Sequence, residues 1–388
     1  MPRAARRVAL ISSSFAPYVG GVETHVDRVA RALRDSGWTA EVWTVDRGEA
    51  LGVVDRDGIR IRHLPTPLPA RSVSAMARYV REGGAARRAW AGAHRAFRPD
   101  ILNIQCFGPN GLYGAGLART TGTALVVTSH GETLADDRGA FQRSRQLRDG
   151  LRRAIGEAAS VTAPSDYVLE DLRRHYGLGR LDGRIVRNGV DPLPPASGRQ
   201  PLRGAYLLGV GRLGRMKGFD LLIEAFADAG LDPAVRLVIG GDGPERGDLV
   251  ALAAARGVAD RVTLLGALDP AAVAQSMAGA LAVVVPSRAE SFGIVALEAW
   301  RAGTALVMTS RGGAVEFVHD GRDALLVDPL DRAELAGALR RVVADEALRT
   351  RLAAAGHERV GEFAWPAVAR AYAALFDEIV DAKTGAQR

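Results

Sequence analysis

Residues 281–300 read LAVVVPSRAESFGIVALEAW. A short unbroken apolar run, a turn punctuated by Pro, Ser and Gly, and an apolar stretch long enough for a helix follow one another. This is the strand, turn and helix unit of a parallel sheet. The same alternation extends through all 388 residues, which predicts an α/β chain with parallel sheets covered by helices on both faces. In the first half the pattern predicts strands at Val8 to Ser13, Ala40 to Val45, Ile101 to Ile104, Ala124 to Ser129, Ser160 to Ala163 and Arg184 to Val186. Helices fit at about 22–36, 73–97, 141–157 and 165–175, and VVDRDGIRIRHL inserts a hairpin turning at Asp57-Gly58. The proline-rich, aperiodic stretch 188–204 then breaks the pattern and reads as a linker between domains. Beyond it, strands are expected at Tyr206 to Val210, Arg236 to Ile239, Val262 to Leu265, Ala282 to Val285, Ala305 to Met308 and Ala324 to Val327. A second doubly wound domain follows from that count.

Composition narrows the classes. With 47% hydrophobic and 24% charged residues the chain is an ordinary globular one. The net charge of +7 comes from arginine, since Lys217 and Lys383 are the only lysines. The basic residues are scattered without interleaved aromatics, so nucleic acid is not expected as a partner. Only four apolar residues, Val8 to Ile11, follow the basic N-terminus, too few for a signal-peptide core, and no stretch has the length of a membrane span. A cytoplasmic location is expected. The single cysteine, Cys106, follows a strand and reads as a small buried side chain in a reducing compartment.

Ligands of doubly wound sheets bind beyond the carboxyl ends of the strands, where helix N-termini and Gly-rich turns expose N–H groups. Two such domains on one linker would place their loops on a shared cleft. In 281–300, the N–H groups of Phe292, Gly293 and Ile294 stand where phosphate or sugar oxygens gain from the helix dipole. Glu290 lies in the loop before them, placed to hold sugar hydroxyls. Glu298, set in an otherwise apolar helix, is placed to accept from ribose hydroxyls. After the strand ending near Leu208, GVGRLGRMKGFDLLIEAF supplies Gly211 for a tight turn and Arg212 with Lys217 to clamp a diphosphate. Lysine at 217 stands out in a chain that otherwise uses arginine.

Weaker candidates share that position after a strand. Gly20 and Gly21 allow a phosphate or sugar close to the backbone. His130 in TSHGE can orient a sugar hydroxyl. Asp242 in GGDGPE and Glu316 in GGAVEF serve either a ligand or a helix start. Glu132, Asp136 and Asp137 form an acidic loop that suits either solvent or a cationic acceptor. The pair Asp55 and Asp57 reads as a hairpin turn, not a metal site. No cluster has metal-ligand spacing and no GxSxG elbow is present, so no metal and no serine nucleophile are expected.

The ordered set PYVGGVETHV, TSHGE, VTAPSDYV, VRNGVD, GRLGRMKGFD, GGDGPE, ESFGIVALE and GGAVE resembles the large family 4 of retaining glycosyltransferases over nearly the whole chain. The resemblance implies the GT-B fold, with two facing Rossmann-like domains: 1–190 for the acceptor and 203–365 for the nucleotide sugar. It also implies a C-terminal helix, within 366–388, packing back on the first. The reaction implied is metal-independent transfer of a hexose or N-acetylhexosamine from a UDP- or GDP-linked sugar, which is a co-substrate and not a cofactor. Retention is implied through a front-face step in which the leaving diphosphate helps deprotonate the acceptor. By motif match, Arg212 and Lys217 hold the diphosphate, Glu290 the sugar and Glu298 the ribose. His130 would contact the sugar near the reacting carbon, and Gly21 would lie near the diphosphate and acceptor.

One departure stands out: many relatives carry histidines where DILNIQCFG places Asn103 and Gln105. The acceptor stays open between a soluble aminocyclitol-like molecule, suggested by the acidic loop, and a membrane lipid, suggested by arginines at 71, 78, 81, 87, 88, 95 and 98. The lipid reading would place the protein peripherally at the inner membrane face. The rival function is an NAD-dependent oxidoreductase or nucleotide-sugar epimerase, because Gly209, Gly211 and Gly214 match GxGxxG. Its acid, however, is Asp242, poorly spaced for a dinucleotide site.

Overall fold

The computed structural model describes residues 6–16, 20–69, 73–134, 139–179, 182–191 and 202–385. Asp136, Asp137, Arg71, the side chain of Arg78 and most of the 188–204 linker lie outside the described residues. The chain divides into two compact units, residues 1–188 with 365–388, and residues 189–364.

The first unit is built on strands β1 (Arg6–Ser12), β2 (Trp38–Val45), β3 (Val53–Arg56), β4 (Ile59–Leu64), β5 (Ile101–Gln105), β6 (Ala124–Thr128), β7 (Ser160–Ala163) and β8 (Arg184–Ile185). Their order in the sheet is β3-β4-β2-β1-β5-β6-β7-β8, parallel throughout except where β3 runs antiparallel to β4. The predicted hairpin turns at Asp57 and Gly58, both at positive φ, the backbone of a tight two-residue loop. It is no mere insert, because β4 pairs parallel with β2 and belongs to the sheet proper.

Side chains alternate across the sheet. Val8 and Leu10 pack with Val26, Val29 and Leu33 of α1 (Gly21–Asp35). Ala9 and Ile11 face the other way, toward α2 (Val73–Phe97), α3 (Pro109–Thr121) and α5 (Arg145–Glu157). The predicted helix over 141–157 is two: α4 (Ala140–Arg143) ends at Ser144, whose hydroxyl accepts from Leu147 N–H and caps α5. Helix α3 was not anticipated. Its buried face is mostly small, with Gly111, Gly114, Ala115 and Ala118 beside Asn110 and Leu117, and a Cβ on Gly114 would lie 2.8 Å from Ile11 and 3.3 Å from Ile104. The helix therefore lies close on the sheet, with no leucine stripe to announce it. Cys106, expected to be buried, is only partly so and takes a positive φ of 64° just after β5. Helix α6 (Asp166–Tyr176) completes this stretch, capped by Ser165.

The second unit holds β9 (Tyr206–Val210), β10 (Arg236–Gly240), β11 (Val262–Gly266), β12 (Ala282–Val285), β13 (Ala305–Thr309) and β14 (Leu325–Val327). All are parallel, in the order β11-β10-β9-β12-β13-β14. Helices α7 (Phe219–Asp228), α8 (Arg246–Ala255), α9 (Pro270–Ala278), α10 (Ile294–Arg301), α11 (Arg332–Ala344) and α12 (Glu346–Arg359) cover it. Leu207 packs on α7 and α11, while Tyr206 and Leu208 pack on α9 and α10. The strand order reverses between β9 and β12. Doubly wound sheets bind ligands at that switch point, because the two flanking loops diverge there.

The last helix, α13 (Trp365–Gly385), belongs to the first unit. Tyr372 and Phe376 are fully buried in the core that α1 shares with β1 and β2, and Phe376 meets Trp38 edge-on at 5.4 Å. Burying a side chain of this size contributes roughly 2–3 kcal/mol. Arg6 binds Asp377 and Asp381, and Arg184 binds Glu378, so ion pairs flank the apolar contact.

Candidate active site

At the switch point of the second unit, the loop after β9 and the loop after β12 clasp one another. Arg288 donates from its backbone to Met216 O and from its guanidinium to Arg215 O. The same guanidinium binds both oxygens of Asp220 at 2.7 and 2.6 Å. Burial pushes the Asp220 carboxyl up, but the hydrogen bonds and charge of Arg288 outweigh it and hold the group below the usual range. The 3-10 turn Arg215–Lys217 is thereby fixed, and Lys217 Nζ comes 2.8 Å from Glu290 Oε2. Ser287 Oγ donates to the same oxygen at 3.0 Å.

The backbone of Glu290 is pinned from its other side. Its N–H donates to Arg311 O, and its carbonyl accepts from Gly313 N–H. Gly312, at φ 119°, makes that approach possible, since a Cβ there would lie 2.1 Å from Glu290 O. Gly293, at φ 91°, is the N-cap of α10, and a Cβ on it would strike Met308 and crowd Glu290 Cγ. Helix α10 starts at Ile294, which leaves the N–H groups of Ile294 and Val295 without intrahelical acceptors. Phe292 contributes its ring to the core, stacked on Phe317 at 4.4 Å.

Glu298, on α10, is mostly buried, and its carboxylate makes no hydrogen bond or ion pair among the described residues. Burial pushes its carboxyl above the ordinary value, and Arg301 only partly offsets this. Gly211 donates to Gly240 O, and Leu213 donates to Asp242 O, so the backbone of Asp242 holds the loop that carries Arg212. The exposed Asp242 carboxylate accepts from Gly243 N–H and is not the cap of α8. Arg212 is exposed on the same loop. Glu316 closes the short helical turn after β13.

In the first unit, Gly20 is the N-cap of α1 and Gly21 its first residue. His130 follows β6 and is partly buried. Its ring meets His25 of α1 edge-on at 4.7 Å, and its Nε2 lies 2.8 Å from Gln105 Oε1. Burial lowers His130 to about 4. Glu132 is not the solvated loop acid that its sequence context suggests. Its Oε2 accepts from the His130 N–H at 2.8 Å and from Ser129 Oγ, and its Oε1 accepts from Phe107 N–H. Burial nevertheless pushes this carboxyl up, these bonds offsetting only part. Glu132 thus shapes the His130 loop and is neither a solvated acid nor a free anion for a cationic acceptor.

Several residues around these groups escaped the sequence reading. Ser287, Asp220 and Arg288 lie inside the quoted motifs, yet Asp220 and Arg288 pair from separate motifs, and the bond from Ser287 to Glu290 within one loop is not announced by the spacing. His25 sits in VETHV and is 1% exposed, its Nε2 3.2 Å from the Tyr372 hydroxyl of α13. Among the described residues no helix is long and apolar enough to cross a membrane.

Comparison with known proteins agrees with this architecture. Residues 195–359 match the profile of "Glycosyl transferases group 1", and residues 19–192 match "Glycosyltransferase Family 4". D-inositol 3-phosphate glycosyltransferase of Acidothermus cellulolyticus is 31% identical over 94% of this chain and 88% of its own. Glycogen synthase of Mycobacterium tuberculosis is 32% identical over 74% of this chain and 70% of its own. Among solved structures, sucrose-phosphate synthase from Thermosynechococcus elongatus superposes with a TM-score of 0.83 at 25% identity, covering 97% of this chain and all of that one. Anabaena HepE in complex with UDP-glucose gives 0.75 at 20% identity over 96% of this chain and 99% of its own. The two parallel α/β domains are those of the GT-B class, and the chain belongs to the family 4, group 1 glycosyltransferases.

Proposed function

We propose that this enzyme transfers a hexosyl or N-acetylhexosaminyl group from a UDP- or GDP-linked donor to a hydroxyl of a small-molecule, lipid or glycan acceptor, retaining the anomeric configuration and using no metal. The observation that carries this reading is the Lys217, Glu290 and Ser287 cluster at the switch point of the second sheet, on the loops that also hold Arg212 and the start of α10. Arg212 and Lys217 neutralise the diphosphate, and Lys217 meets the charge that grows on it as the sugar leaves. Glu290, pinned by backbone bonds on both sides, takes sugar hydroxyls. Glu298, without a partner, takes the ribose hydroxyls. The acceptor proton passes to the departing diphosphate, so no enzymic nucleophile is needed. A His130 held near 4 is a weak base at neutral pH, which favours this route over one in which the histidine deprotonates the acceptor. Family membership weighs against the dinucleotide reading of GxGxxG.

The HepE structures contain UDP, and UDP with glucose or as UDP-glucose, which makes UDP-glucose the first donor to test. A thermal-shift screen of UDP, GDP, ADP and dTDP sugars is expected to single out one nucleotide, since a ligand at a hundred times its Kd adds about 2.7 kcal/mol. A response to NAD and to none of the sugar nucleotides would contradict the assignment. Turnover of the selected donor is expected to persist in excess EDTA, because Arg212 and Lys217 supply the positive charge. Complete loss restored by manganese would show that the diphosphate is held through a metal.

Glu298→Gln offers a separate check. The folded-state pKa of Glu298 is raised, so its contribution to stability is full at acid pH and is lost as the pH rises through the folded value. Near neutrality the carboxylate is therefore a cost in the free protein. The glutamine variant is expected to melt at a higher temperature than the unaltered protein at pH 7 while binding the donor more weakly. Unchanged affinity would remove Glu298 from the ribose site.

A further inference from the structure

Asn103 and Gln105 are both fully buried on one face of β5. Asn103 Nδ2 lies 3.4 Å from Val126 O and 2.9 Å from Thr128 Oγ1. A carbonyl only accepts, so the nitrogen of the Asn103 amide must face β6 and its oxygen must face Gln105. Gln105 Nε2 donates to that oxygen at 2.6 Å, which turns Gln105 Oε1 toward His130 Nε2, 2.8 Å away. An amide oxygen only accepts in its turn, so His130 Nε2 carries the hydrogen. The other ring nitrogen, Nδ1, makes no hydrogen bond among the described residues, and His130 is only partly buried.

We propose that Asn103 and Gln105 form a relay, anchored on the Val126 carbonyl, that fixes His130 as the Nε2–H tautomer so that Nδ1 presents a hydrogen-bond acceptor to a substrate hydroxyl. Gln105 is then a positioning residue and Asn103 sets its direction. An acceptor at this point admits a neutral hydroxyl, which can donate to it, and disfavours a phosphate or carboxylate, which cannot. Burial keeps the ring neutral near pH 7, so the acceptor persists. The tautomer follows from the fold alone, whereas its use on a sugar hydroxyl rests on the glycosyltransferase reading above.

Protein labelled with 15N-histidine gives the test. In long-range 1H–15N spectra at pH 7, the His130 ring, assigned by its loss in His130→Ala, is expected to show a protonated Nε2 and an unprotonated Nδ1. Gln105→Met fills similar space without an acceptor. It is expected to lose the tautomer preference and, on the first sugar nucleotide that the donor screen selects, to lower kcat/KM about tenfold. A protonated Nδ1 in the unaltered protein, or an unchanged tautomer in Gln105→Met, would overturn the relay. The unaltered protein suffices if the variant does not fold. The expected tautomer with no turnover of any sugar nucleotide would leave the relay standing and count against the functional reading.

Discussion

Lys217→Ala is expected to lower kcat by on the order of a hundredfold or more while the protein stays folded. The large effect comes from where the charge stands. Lys217 is held by a 3-10 turn that Arg288 clasps, and a cation placed in advance costs no reorganisation as the leaving diphosphate gains charge. The small effect on folding follows from exposure. The Lys217 side chain is 35% exposed, so the ion pair with Glu290 is worth at most about 1 kcal/mol, and Glu290 keeps its bond from Ser287. Steady-state kinetics beside a melting curve separate the two. Near-normal turnover in a folded variant would make Lys217 a solvated loop cation.

Glu290→Gln is expected to cost about as much in kcat/KM, on the order of a hundredfold. The amide preserves shape, and the backbone bonds to Arg311 and Gly313 are untouched, so the loss reports the charge and not the fold. Because Lys217 and Glu290 touch at 2.8 Å, their effects should not be independent. The double variant is expected to fall well short of the product of the two single losses. Fully multiplicative losses in a folded double variant would mean that the pair does not act as a unit on one substrate.

Much of the fold was legible because strands buried on both faces read as continuous apolar runs, as LAVVV does before β12's loop. What the sequence hid, it hid for physical reasons. In α3, Gly111 and Gly114 replace the apolar stripe, because Phe107, Ile11 and Ile104 already fill the space a side chain would need. The break between α4 and α5 turns on one serine that reads as an ordinary helix residue until its hydroxyl is seen capping Leu147. Within the site, Lys217 was marked by the scarcity of lysine and Glu290 by its loop before α10, but nothing in the spacing announced that they form a pair. Glu132 misled for the opposite reason. An acid in a Gly-containing loop looks solvated, and only the fold shows its two oxygens occupied by Phe107, Ser129 and His130. Gln105 was visible as a departure from relatives, while its partner His130 lies one strand away.

Retention of the anomeric configuration is the central feature of the proposed transfer. An inverting enzyme needs a base to deprotonate the acceptor as it attacks from the face opposite the leaving group. His130 is the candidate nearest that role, and its burial makes it a poor one. Proton NMR of the earliest product, formed from the donor that the thermal-shift screen selects, reads the anomeric coupling directly. The donor's own configuration is expected in the unaltered enzyme, and slower turnover with the same configuration in His130→Ala. A product of opposite configuration would contradict the proposed mechanism and make His130 the general base.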